Sequence, residues 1–282
     1  MPTPFQHLIY AKAALEDISL PEPIRQRLKA HEGAYLLGST AVDVQAITGQ
    51  PRRETHFYTL PATPHLRAGK VMRARYPELG NPYCLPPEQA AFISGYLVHL
   101  AWDEDWAWDV FSPYYLEAGW WPDRLTRSVH HNALRVVMDR DALEALHRWP
   151  QVVPLLKKAE PDHWLPFVPD AALRKWRDWI VEQLEHPDRI QTVEVFAERM
   201  GVTPEHLEEV AQAIAEGSFR PRLPGLEEAL QRFEWHAHRD SLRALRQYWG
   251  FDEEAIPVEA LFAACPAPTS EQPAREEIRS PR

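Results

Sequence analysis

The segment from Glu88 to Val110, EQAAFISGYLVHLAWDEDWAWDV, is the most apolar stretch of the chain and determines the fold. Apolar side chains occupy nearly every side of the helix it would form, which is typical of a central helix covered by its neighbours. His99 and Asp103 interrupt this pattern four residues apart, so they share one face of the helix. Gly95 lies one turn before His99 and leaves room for another chain or a ligand. We therefore expect a polar site on one face of a buried helix.

Helical spacing recurs along the rest of the chain, and no segment shows the alternation of a strand. The first helix begins at Thr3, with Pro4 at its first position and Gln6 placed to complete a capping box. Prolines interrupt residues 48–87, which predicts a long irregular segment. Further helices are predicted after Pro23 and over residues 33–47, 123–148, 170–186, 192–200, 204–216 and 224–249. The predicted fold class is all-α, a multi-helical bundle around a buried central helix.

The 282 residues are enough for one large domain with a substantial core. We expect a helical domain over residues 1–265, in which residues 190–250 form an appended helical subdomain. Residues 266–282 are rich in Pro, Ser, Glu and Arg and are predicted to form a disordered tail.

Charge and cysteine content exclude several classes of protein. Lys and Arg number 31 against 41 Asp and Glu, and the net charge of −10 argues against nucleic acid or an anionic membrane as the main partner. Two cysteines are too few for a disulfide framework or a cysteine-based zinc site. No apolar run reaches the length of a transmembrane span, and residues 1–7 do not read as a secretory signal, so the expected location is the cytoplasm. A metal site would have to use His, Asp and Glu.

Three other segments carry side chains of this kind. Asp43 lies in an apolar helical stretch, His56 follows two arginines, and His7 lies on the first helix. Each one alone reads as an ordinary capping, loop or helix-terminal side chain, and the pair His99 and Asp103 alone reads as a core hydrogen bond. Histidines and carboxylates are costly to bury unless they are paired or ligated. Taken together, the four segments favour a shared site.

These residues resemble the motifs of the zinc-dependent phospholipase C family, whose bacterial members are all-helical. The matching segments are TPFQHL at 3–8, LLG at 36–38 through Asp43, RETHF at 53–57, and GYLVHL at 95–100 with Asp103. The spaced motif is an Asp, a His thirteen residues later, and H-x3-D on the buried helix. A weaker similarity to small bacterial relatives lies in WLPF at 164–167.

The resemblance implies zinc as the cofactor and a phosphoester as the substrate, either a phospholipid or a soluble phosphodiester. In the family, an Asp, a His and the helix pair bind one zinc ion, which corresponds here to Asp43, His56, His99 and Asp103. An N-terminal His binds a neighbouring zinc that shares the helix Asp, which corresponds to His7. Zinc accepts such ligands and activates water for phosphodiester hydrolysis. Asp43 is the expected catalytic residue, orienting or deprotonating that water.

The chain also departs from the family pattern. The family's remaining zinc uses two histidines and a glutamate spaced H-x3-E, and no histidine of this chain has Glu at that spacing. His131, beside His130 at the start of an apolar stretch, is the candidate for a further metal ligand. His236 and Asp240 give H-x3-D, but their charged surroundings favour a solvated helix face. The family's free N-terminal Trp, another zinc ligand, has Met1 and Pro2 in its place, so the number of metal ions stays open.

Two alternatives remain. One is a catalytically degenerate relative that holds a structural metal and binds a protein partner. The other is a helix-turn-helix regulator, because residues 193–210 have the apolar spacing and turn glycine of such a unit. Residues 191–218 contain six Glu and one Arg, however, and this charge would repel DNA phosphates.

Overall fold

The computed structural model describes residues 2–62, 67–119, 121–186, 191–217 and 223–252, and these residues are helical with no strand. The all-α prediction is therefore confirmed. The α-helices are α1 Pro4–Glu16, α2 Glu22–Ala30, α3 Glu32–Ala41, α4 Gln45–Thr48, α5 Arg52–His56, α6 Ala68–Arg75, α7 Pro87–Trp106, α8 Arg124–His147, α9 Val152–Lys157, α10 Asp170–Glu185, α11 Thr192–Met200, α12 Pro204–Ala215 and α13 Leu226–Tyr248. Short 3-10 turns cover Val42–Val44, Pro77–Leu79 and Pro82–Cys84, and a π-helix covers Ala107–Leu116. Residues 266–282, predicted as a tail, lie outside the described residues.

Helix α7 is the centre of the fold. Every residue from Gln89 to Trp106 is buried, as expected for a helix without a polar side. Helices α3 and α13 cover most of it, and α1, α2 and α6 pack around the remainder. In the described part of the chain, no helix combines the length and apolar character needed to cross a bilayer.

Two glycines let α3 and α7 cross at very short range. A Cβ atom on Gly95 would overlap the carbonyl oxygen of Tyr35, and a Cβ atom on Gly38 would overlap the carbonyl oxygen of Phe92. The two backbones can approach this closely only because neither position carries a side chain. The space that Gly95 leaves is therefore filled by α3. This approach places the end of α3 against the polar face of α7.

The N-terminus of α1 is fixed by its cap and by α8. The Thr3 backbone N–H donates to Gln6 Oε1 at 2.8 Å, which confirms the predicted capping box. The Thr3 hydroxyl donates to the buried carboxylate of Asp139 on α8, which also accepts from Thr192 at 2.6 Å. His7, one turn after Thr3, is thereby held beside α7.

Residues 48–87 contain more helix than their prolines predict. Helices α5 and α6 and two 3-10 turns lie in this segment, so the expectation of irregular structure is wrong for those residues. Pro51 directly precedes α5, and the two 3-10 turns begin at Pro77 and Pro82, where a missing N–H costs nothing. The prolines start short helices as well as ending long ones. Helix α9 is a further short helix that sequence spacing does not predict.

Residues 190–250 divide between two hydrophobic cores. Helices α11 and α12 form a small cluster against α8, in which Phe196 and Leu207 contact Val129 and Ala133. Helix α13 belongs instead to the main core around α7, through residues such as Phe233.

Candidate metal centre

Four separate elements bring the predicted ligands to one place. His7 comes from α1, Asp43 from the 3-10 turn after α3, His56 from the last position of α5, and His99 and Asp103 from α7. The three histidines and Asp103 are at most 1% exposed. The Asp43 side chain keeps 22% of its surface exposed, so it lies on the solvent side of the cluster.

The carboxylate of Asp103 lies close to all three imidazole rings of this cluster. Its Oδ1 lies 3.4 Å from His7 Nε2. Its Oδ2 lies 3.3 Å from His56 Nε2 and 3.6 Å from His99 Nε2. His56 Nε2 is also 3.4 Å from Asp43 Oδ1. The Asp103 carboxylate therefore faces three imidazole nitrogens, and the Asp43 carboxylate faces one of these, His56 Nε2.

Hydrogen bonds at Nδ1 orient two of the imidazoles. His99 Nδ1 lies 2.7 Å from the backbone carbonyl oxygen of Ser39, which can only accept a proton. His56 Nδ1 lies 2.9 Å from the Thr55 hydroxyl, which itself donates to the Arg52 carbonyl oxygen at 3.3 Å. Both rings therefore carry a proton on Nδ1 and direct Nε2 toward Asp103. Histidine ligands of metal ions are commonly fixed in this way.

Within the described part of the chain, the atoms that face the centre of the cluster have no hydrogen-bond partner. These atoms are Nε2 of His7, His56 and His99, and Oδ1 of Asp103, and His7 Nδ1 is also unpartnered. Buried polar atoms are normally satisfied, so this group of exceptions calls for a ligand. Ligands about 2.0–2.1 Å from a tetrahedral zinc ion lie about 3.3 Å from one another, which matches the observed spacing. The donor set of imidazole nitrogen and carboxylate oxygen fits Zn²⁺.

At this centre the described residues form two triads with metal-binding spacing, which share His99. One is His56, His99 and Asp103, and the other is His7, Asp43 and His99. Within each triad, the ligand atoms all lie within 4.8 Å of one another.

Electrostatics keep most of these groups ready to ligate at neutral pH. Burial, with the nearby charge of His99, lowers the pKa of His7 to about 4. Burial opposes ionisation of Asp103, but His99, His56 and His7 outweigh it and hold the pKa of Asp103 well below its usual range. The pKa of Asp43 is also lowered, because His56 and His99 outweigh its burial. Burial likewise opposes protonation of His99, but Asp103 and Asp43 raise the pKa of His99.

Arg52 and Tyr58 belong to the site, although the sequence did not identify them. Arg52 Nη2 donates to Asp103 Oδ2 at 2.7 Å and to the Tyr58 hydroxyl at 2.9 Å. The guanidinium also lies over the Tyr58 ring, 4.8 Å from its centroid, and remains 28% exposed. The signal was present in the spacing, because Arg52 is four residues before His56.

The structure does not bring His131 to the cluster, contrary to the expectation that it ligates a metal. The ring packs among Trp106, Phe111 and Tyr115, and its Nε2 accepts a hydrogen bond from Trp106 Nε1 at 3.1 Å. That nitrogen is therefore engaged. The neighbouring His130 packs against Trp121, with ring centroids 4.8 Å apart.

His236 and Asp240 also lie apart from both triads. His236 Nδ1 is 2.8 Å from Asp109 Oδ2. Asp240 accepts from Arg67 and, at 2.9 Å, from Arg239. His236 and Asp240 therefore each have polar partners outside the metal centre.

No protein-family model, no curated protein and no solved structure matches this chain. The geometry of the site is therefore the basis on which a function is proposed.

Proposed function

We propose that this chain is a metal-dependent phosphoesterase that uses zinc to hydrolyse a phosphodiester, lipid or soluble, as the resemblance to the phospholipase C family implies. The observation that carries the proposal is the convergence of five histidine and aspartate side chains whose inward-facing nitrogen atoms have no hydrogen-bond partner among the described residues. Such a set is costly to bury without a cation, and its donor types suit zinc.

In this proposal, His56, His99 and Asp103 hold zinc, and His7 and Asp43 complete the site or hold a neighbouring ion. Bound zinc would supply polarisation of a phosphoryl oxygen and activation of water near neutral pH. Asp43 is the most exposed of the five and its pKa is lowered, so its carboxylate is the group placed to orient an attacking water.

Arg52 supplies the positive charge beside this cluster. Its guanidinium is partly exposed and already bonded to a carboxylate oxygen of Asp103. A planar guanidinium suits the paired oxygens of a phosphate group. Its position at the edge of the site supports a phosphorylated substrate.

The experiment is hydrolysis of bis(p-nitrophenyl) phosphate by the zinc-loaded protein, with zinc content measured on the same samples. We expect activity in the wild type and a loss of at least about a hundredfold in His99→Ala and Asp103→Ala, because both remove a metal ligand. His147→Ala is the matched control, since His147 is exposed on α8. A wild-type protein that contains no zinc, or equal activity in all four proteins, would overturn the proposal.

The degenerate relative remains the second candidate, and burial of the site favours it. Four of the five side chains are at most 1% exposed, which leaves a narrow approach for a substrate through Asp43 and Arg52. If the chain is such a degenerate relative, the purified protein should contain stoichiometric zinc and lose much of its thermal stability on chelation, but it should not hydrolyse phosphodiesters. A helix-turn-helix function gains no support, because Leu207 and Ala211 of α12 pack against α8 and the residues left exposed include Glu205 and Glu209.

A further inference from the structure

A cavity lies on the side of α7 opposite His99 and Asp103. It has a volume of about 310 Å³ and is enclosed by α6, α7 and α13. Its apolar wall includes Leu97, Leu100 and Ala101, and none of the five proposed metal-site residues lines it. The cavity is therefore a separate feature of the fold, at the lower end of the size range of small-molecule sites.

Positive charge dominates the wall of this cavity. The cationic residues are Arg67, Lys70, Arg73 and Arg243, against only two anionic residues, Glu104 and Asp240. This local excess occurs in a chain whose net charge is −10. The charge of the cavity wall is therefore opposite in sign to the net charge of the chain.

Both anionic residues of the wall are paired with Arg67. Its guanidinium donates to Asp240, lies 3.9 Å from Glu104 Oε2, and donates to Asp105 Oδ1 at 3.0 Å. These carboxylates neutralise Arg67, and Arg243 Nε lies 3.8 Å from Asp252 Oδ2, so Lys70 and Arg73 are the cations of the wall for which the described residues supply no ion pair.

Arg73 is the more buried of these two cations. Within the described ranges, no carboxylate oxygen lies within 4.0 Å of Arg73 or of Lys70, one turn earlier on α6. The Nε atom of Arg73 donates to the Gly69 carbonyl oxygen at 3.2 Å, and this is the sole hydrogen bond of the Arg73 side chain in the described structure. The side chain is half-buried, and that burial lowers its pKa. A partly desolvated guanidinium with unused donors is costly unless an anion meets it.

We propose that this cavity binds a small organic oxyanion, a phosphate ester or a carboxylate. The oxyanion pairs with Arg73 and Lys70, because a guanidinium offers paired N–H donors to two oxygens of such a group. The apolar part of the ligand lies on Leu97 and Leu100. This site does not depend on the metal centre or on the proposed phosphoesterase activity.

The test is isothermal titration of the full-length, zinc-loaded protein at low ionic strength with phenyl phosphate, benzoate and benzyl alcohol. We expect one site per chain for at least one of the two anions and none for the uncharged alcohol. Arg73→Gln should weaken that binding at least about tenfold, since a charge-assisted hydrogen-bonded pair is removed. Arg75→Gln is the matched control on the same helix, because Arg75 is exposed and does not line the cavity. Comparison of phenyl phosphate with benzoate identifies which oxyanion the site prefers.

Two further variants separate this site from the metal centre. Ala244→Leu narrows the cavity without changing its charge and should also weaken binding, whereas His56→Ala disrupts the metal centre and should leave anion binding intact. Circular dichroism confirms that each variant is folded. Two results would overturn the proposal. One is that neither anion binds more tightly than benzyl alcohol. The other is that anion binding survives Arg73→Gln and Ala244→Leu but disappears in His56→Ala.

Discussion

The imidazole rings of His7 and His99 stack face to face, with centroids 3.5 Å apart and planes inclined by 13°. Each ring is buried, and each directs a nitrogen toward the carboxylate of Asp103. Two protonated imidazoles at this distance would repel strongly, so the pair accepts one proton far more readily than two. Asp103 stabilises the proton on His99, and His7 stays neutral.

This arrangement predicts how the stability of the zinc-free protein depends on pH. The pKa of His7 is about 4 in the folded state, below the 6.5 of an ordinary histidine, so the unfolded state binds more protons in between. The contribution of His7 therefore lowers the free energy of unfolding by up to about 3 kcal/mol as pH falls from about 6.5 to about 4. His99 has the opposite effect on the free energy of unfolding, because its pKa is raised in the folded state. Its stabilising contribution is present at low pH and is lost as the pH rises through the folded-state pKa.

Urea unfolding between pH 4 and pH 8, in the presence of a chelator, measures this dependence. His7→Gln should remove the part of the slope that lies below about pH 6.5, so the variant gains stability relative to the wild type as pH falls. Parallel stability curves for the two proteins would contradict the assignment of a depressed pKa to His7.

The close crossing of α3 and α7 makes Gly95 essential to the site. Gly95→Ala places a methyl group against the carbonyl oxygen of Tyr35, so the helices must separate. We expect a loss of at least about 1–3 kcal/mol in the free energy of unfolding. Zinc affinity should fall as well, because Ser39 moves away from His99 Nδ1. Gly119→Ala is the control, since a Cβ atom there meets nothing within 4 Å. Equal stability and zinc affinity in the two variants would show that the crossing tolerates a side chain.

Thr55 is predicted to fix the orientation of His56. Thr55→Val keeps the shape of the side chain but removes the hydroxyl that accepts from His56 Nδ1 at 2.9 Å. We expect zinc affinity to fall about 10–100-fold, as is typical when a partner of a metal-binding histidine is lost. Competition with a chromogenic chelator measures the affinity. Thr48→Val, which removes a hydroxyl that contacts Gln50 outside the site, should leave it unchanged. An affinity in Thr55→Val equal to that of the control would mean that His56 is not a ligand.

Much of the fold follows from the sequence because α7 has an unmistakable pattern. A helix without a polar side must be covered by other helices, and His99 and Asp103 stand out on it. The predicted boundaries of α8 and α10 differ from the observed ones by at most one residue, because Asp123 caps one helix and Pro169 precedes the other. Local signals of this kind can be read without tertiary information.

Contacts between distant segments could not be read in the same way. The Ser39 carbonyl reaches His99 only because two glycines bring the helices together, and backbone carbonyl groups leave no signature in a sequence. His131 was expected at the site because it begins an apolar stretch, but the indole of Trp106 takes its Nε2. The choice between a metal and an indole partner depends on three-dimensional packing.

The most direct test of the metal centre is the position of a bound ion. Crystals of the full-length protein grown with zinc should be measured just above and just below the zinc absorption edge. An anomalous difference peak within about 2.0–2.2 Å of His56 Nε2, His99 Nε2 and an oxygen of Asp103 is the predicted result. No peak among these residues in a structure with the same side-chain arrangement, or a peak only at surface groups such as Asp162 and His163, would contradict it.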